Sequence, residues 1–140
     1  MLYLKSLGVW LLLAILAIIL GSLRNAFLLP TVGDLTAHQI GTLVFLICQF
    51  LIIHFFVKWI SKSATRRIAP ANLLMIGVFW AVPTVAFEFL FGYYVIGHQW
   101  EKLLADYNIF KGRLWILVLL NNIAAPLISG RIIKLRQAIP

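Results

Sequence analysis

The chain has little charge and almost no acid. Charged residues make up 11% of its 140 positions, and only four are acidic: Asp34, Glu88, Glu101 and Asp106. An ordinary globular domain carries roughly 25% charged residues. A chain this small and this poor in charge cannot cover itself with a hydrated surface. The one cysteine, Cys48, excludes an internal disulfide framework and any multi-cysteine metal site; in the middle of an apolar run it reads as inert packing. There is no Walker loop, no HExxH, no GxSxG and no pair of carboxylates inside an apolar run. These absences, with connections too short for a soluble catalytic domain, argue against an enzyme and give no reason to expect a cofactor or metal.

What the chain does have is apolar length. Hydrophobic residues are 63% of the sequence, and a bilayer-spanning helix needs ~20 of them in a row. Residues 7–29, 40–60, 71–95 and 114–130 qualify or nearly do. Backbone groups in lipid must be satisfied internally, which makes these segments helices. Their apolar runs are too continuous for the alternation of a membrane β-barrel. Pro70 suits a helix start, while Pro83 and Pro126 fall inside helices and can kink them. Lys5, the apolar run 8–20 and Gly21-Ser22 have the look of a signal peptide. Apolar character resumes at 26–29, so a retained helix is expected. The connections 31–39, 61–70 and 96–113 are short. The expectation is therefore a single all-α integral membrane domain over 1–140, an antiparallel four-transmembrane-helix bundle.

The net charge of +8 resembles a nucleic-acid signal, but the basic residues flank apolar runs. Lys5, Lys58, Lys62, Arg66, Arg67, Arg131, Lys134 and Arg136 fall on one side of the bundle; Arg24, Lys102, Lys111 and Arg113 fall on the other. The bias places both termini in the cytoplasm. Tyr93, Tyr94, Trp100, Tyr107 and Trp115 then mark the outer interface, and Tyr3, Trp10 and Trp59 lie nearer the inner one. The partner expected is the lipid bilayer, with a second copy or another membrane protein left open, and no nucleic acid. In the third connection Trp100, Leu103, Leu104 and Tyr107 recur at helical spacing. That predicts a short interfacial helix with these four side chains on one buried face.

Function is carried by the polar residues at membrane depth. Glu88 is the only carboxylate inside an apolar segment, and an ionised acid there must be neutralised or paired. It lies about seven residues, ~10 Å, below the outer end of its helix. Arg24 is ~9 Å below Pro30, and Asn121 and Asn122 are ~11 Å from the outer end of the last helix. All four thus fall in one layer. The expectation is a bidentate Arg24–Glu88 pair whose remaining hydrogen bonds are completed by Asn25 and by Asn121 or Asn122. Gln49 and His54 read as helix–helix hydrogen bonders. His38 and His98 read as solvated loop residues, without a third ligand for a metal. Gly21, Ser22, Ala124, Ala125, Ser129 and Gly130 suit close helix approach.

Three stretches carry a likeness: Phe87-Glu88-Phe89-Leu90-Phe91-Gly92; Gly97-His98 with Trp100 and the run 103–108; and Gly112-Arg113-Leu114-Trp115. With Leu23-Arg24-Asn25 they resemble a family of small uncharacterised bacterial membrane proteins with four predicted helices. The resemblance implies a bacterial inner-membrane location and no assigned activity. Two functions follow from the residues themselves. One is a non-enzymatic structural or accessory component clamped by the ion pair. The other is a small transporter or channel in which Glu88 takes up a proton or cation. A dry, fully paired Glu88 favours the first, and an open path to Glu88 the second.

Overall fold

A computed structural model describes residues 2–63 and 68–138. Arg66 and Arg67 of the second connection lie outside the described residues, as does the side chain of Arg136. The described chain is helical without a strand, and four helices are long and apolar enough to cross a membrane. They are α1 (Leu2–Val32), α2 (Asp34–Ser63), α3 (Pro70–Tyr94) and α5 (Ile116–Ala138). The short helix α4 (Trp100–Ala105) lies in the third connection, as its spacing predicts.

Helix α3 falls where hydropathy places it. The others run further. The expected first loop, 31–39, is almost wholly helical; Gly33 alone connects α1 to α2, at φ +80°. That φ is in the range that favours glycine. Asp34 opens α2, where an acid suits the helix dipole. α5 starts at Ile116 and carries Arg131 and Lys134 beyond the expected end at Gly130.

Pro30 does not stop α1, because the helix widens beneath it. Arg24–Leu28 forms a π-helical turn, and the Leu29 N–H bonds to the Arg24 carbonyl. Proline lacks an N–H for the carbonyl four residues back. The Thr31 hydroxyl donates to the Phe27 and Leu28 carbonyls, both at 2.9 Å.

Helix α5 packs on α2 and α3, and α1 packs on the same two helices. Gly77 lets α3 approach α5: a Cβ there would lie 2.7 Å from both the Asn122 carbonyl oxygen and the Ile123 Cα. Pro126 removes the N–H that would ordinarily bond that carbonyl. Ala125 and Ser129 are buried as expected, but Gly21 faces open space. The apolar core joins Leu13, Ile53, Phe56, Val57, Ile76 and Trp80. Leu2, Ile60, Leu73 and Ile133 belong to or pack on the same cluster, so both ends of the described chain share the apolar half of the bundle. Lys5 stands 4.4 Å over the Trp59 ring at this end. The polar residues occupy the middle and the opposite half.

Candidate functional site: a polar belt beneath a half-open cavity

A hydrogen-bonded belt crosses all four long helices at mid-depth. Asn121 Nδ2 donates to Gln49 Oε1 at 2.7 Å, and Gln49 Nε2 donates to Asn122 Oδ1 at 2.7 Å. Asn122 Nδ2 donates to Thr84 Oγ1 at 3.3 Å. Thr84 also accepts from Trp10 Nε1 at 3.1 Å, and donates its own proton to the Trp80 carbonyl at 2.7 Å. Trp80 Nε1 reaches the Ser6 carbonyl at 2.8 Å. Asn121 and Asn122 therefore serve Gln49, not an Arg24–Glu88 pair. Gln49 bonds across helices as expected. His54 does not: it stacks on Phe50, and its Nδ1 has no hydrogen-bond partner among the described residues.

Above the belt lies a cavity of about 210 Å³, half open to its surroundings. Arg24, Asn25, His38, Glu88, Asp106 and Trp115 line it, with apolar walls from Phe87 and Phe91. Of the residues expected in one layer, Arg24, Asn25, Glu88 and Asn122 line this space, while Asn121 does not. Arg24 and Glu88 form no ion pair. Among the described residues, Arg24 has no carboxylate partner; its Nε and Nη2 donate to Asn25 Oδ1 at 3.1 and 3.0 Å. Its aliphatic stem lies against Gly41 of α2, where a Cβ would meet Arg24 Cδ at 3.1 Å. The missing side chain at Gly41 leaves the groove that draws Arg24 towards α2.

Glu88 is held by the third connection. Its Oε2 accepts from the Tyr107 hydroxyl. Burial, reinforced by the Glu88 hydrogen bond, pushes the Tyr107 phenol above its ordinary range, so it remains a donor. Phe89 stacks on both Tyr107 and Trp100, at 5.8 and 5.5 Å. Trp115 also lines the cavity, beside the Glu88–Tyr107 contact. Leu103 is buried and fills the space above Gly92, where a Cβ would lie 2.7 Å from Leu103 Cδ2. The single buried face expected for α4 is only half present. Leu103 and Tyr107 turn inward, while Trp100 and Leu104 are 43% and 61% exposed. Six residues make too short a helix to turn all four inward.

A second polar cluster fastens the connection to the start of α2. Arg113 pairs with Asp34, and its Nη1 lies 3.3 Å from Asp106 Oδ1. Gln39 Nε2 donates to the Gly112 carbonyl at 3.0 Å. His38 is not a solvated loop residue: α2 has already begun, and the side chain is only 2% exposed. Its Nε2 accepts from the Leu114 N–H at 3.1 Å. That bond leaves the proton of the neutral ring on Nδ1, which lies 4.0 Å from Asp106 and has no hydrogen-bond partner among the described residues. His98 is half-buried, and burial, helped by Lys102, holds its imidazole below the usual range. No cluster of three metal-ligating side chains occurs among the described residues.

Arg24, Asn25 and Glu88, expected at one level, all line the cavity, whereas Tyr107, His38 and Thr84 were not expected as members of the site. The i−4 spacing of Thr84 from Glu88 was visible; the contact with Trp10 was not. No family model matches the chain, and no curated protein or solved structure is similar to it.

Proposed function

We propose that this chain is a small non-enzymatic transporter of the cytoplasmic membrane, in which Glu88 receives a proton or a small cationic group from the outer half of the bilayer. One observation carries the reading. Glu88 lines a half-open cavity with no basic partner among the described residues. A carboxylate at membrane depth that is neither neutralised by a cation nor enclosed in apolar packing is poised to bind. The ion pair that would favour a purely structural clamp is absent.

The positive-inside bias supports an orientation with both termini in the cytoplasm, which puts the cavity in the outer half. The resemblance noted in the sequence points to a bacterial inner membrane. A reporter active only in the cytoplasm, fused after Pro140, should be active; activity of a periplasm-dependent reporter there would reverse the orientation.

The transport reading is tested in vesicles. Protein reconstituted with an entrapped pH dye should dissipate an imposed pH gradient faster than protein-free vesicles, with tetraethylammonium present or absent, and Glu88→Gln should remove the difference. A rate unaffected by the substitution would exclude Glu88 as the carrier. The Tyr107 hydrogen bond favours a second reading, a strut in which Glu88 holds the third connection over the bundle. On that reading Glu88→Gln lowers thermal stability and neither protein moves protons.

A further inference from the structure

The cavity is lined by an acidic and a basic side chain that do not pair with each other. Glu88 is on α3, and Arg24 is on the π-helical turn of α1. Asn25 engages two of the guanidinium nitrogens, leaving Nη1 unengaged among the described residues. A ligand carrying only positive charge meets Arg24 in the same space, and one carrying only negative charge meets Glu88. A ligand with both charges satisfies each. The other acid on the wall, Asp106, is already compensated by Arg113. The cavity walls include the aromatic rings of Phe87, Phe91 and Trp115, which suit an alkyl chain and the face of an ammonium group. A volume of about 210 Å³ corresponds to on the order of seven waters at liquid density. That fits a small solute or a headgroup, not a whole lipid.

We propose that the cavity binds a zwitterion, with its ammonium group at Glu88 and its phosphate or carboxylate at Arg24. This rests on Glu88 being a cation-binding carboxylate and adds the anionic half of the ligand. The same chemistry is offered by a free amino-phosphate or by the headgroup of a zwitterionic lipid entering through the open side.

The test uses the full-length protein in detergent, with the fluorescence of Trp10 and Trp115 on the cavity wall as the readout. The probes are phosphoethanolamine, dihexanoyl phosphatidylethanolamine, dihexanoyl phosphatidylglycerol and ethylammonium. The two zwitterions, or the lipid one alone, should bind about tenfold or more tighter than the phosphatidylglycerol and the ethylammonium. Binding of both zwitterions assigns a soluble ligand; binding of the lipid form alone assigns a headgroup. Arg24→Gln and Glu88→Gln should each remove the preference, and Arg24→Lys should retain most of it. Ethylammonium binding as tight as the zwitterions, unchanged in Arg24→Gln, would overturn the zwitterion and leave the Glu88 cation site standing. Binding of every probe unchanged in Glu88→Gln would overturn both. Should a variant fail to fold, the ranking of the four probes on the unmodified protein still decides, since equal affinities exclude a zwitterion site.

Discussion

At the scale of single residues, buried amides join the helices alongside the apolar packing. Gln49 is 1% exposed and bonded on both sides, to Asn121 and Asn122. Interhelical polar contacts in membranes average only ~0.6 kcal/mol, but removing one partner of a buried set strands the others at ~1–3 kcal/mol. Gln49→Leu should therefore destabilise the protein by about 1 kcal/mol or more. The double change Gln49→Leu with Asn122→Leu should cost less than the sum of the single changes, since it removes both ends of one bond. Unfolding curves in detergent measure this, and strict additivity would show that the two amides are not coupled. That Gln49 bonds across helices was legible in the sequence; that its partners are Asn121 and Asn122 was not. Arg24 and Glu88 have complementary charges at similar depth, which is all a sequence shows. Gly41 opens a groove for the arginine on α2, and Tyr107 reaches the glutamate from a connection; both depend on how the chain packs.

At the scale of elements, hydropathy finds the spans and misplaces their ends. Asp34, Thr36, His38 and Gln39 are polar yet helical, since polarity alone does not end a helix. Pro30 looked like a stop, yet a π turn and the Thr31 hydroxyl carry α1 past it. Close approach of helices was also only partly legible. Small residues on α5 were expected at the contacts, and Ala125 and Ser129 are there, but the tightest fit to backbone is at Gly77 on the facing helix. Gly77→Ala should lower the melting temperature markedly, because its new methyl group meets backbone atoms of α5 that cannot rotate away. Gly21→Ala, with nothing within 4 Å of the added carbon, should leave the melting temperature unchanged or raise it slightly. Equal effects at the two positions would contradict the close α3–α5 approach.

At the scale of the whole molecule, polarity is divided along the bundle axis. The half that holds both ends of the described chain is packed around Trp80, Phe56 and Ile76. The amide belt closes the middle, and the opposite half contains the cavity, lined by Leu103 and Asp106 from the third connection, which Arg113 fastens to α2. Glu88 lines the cavity, and the packed half lies beneath the belt. Reaction with an apolar carbodiimide, which enters membranes and adds to protonated carboxyl groups, tests the accessibility of Glu88 most directly. In the folded protein, peptide mass mapping should find the adduct on Glu88, with its yield reduced by ethylammonium and no adduct at this position in Glu88→Gln. A folded protein that leaves Glu88 unmodified, while the unfolded chain is labelled there, would contradict an accessible carboxylate.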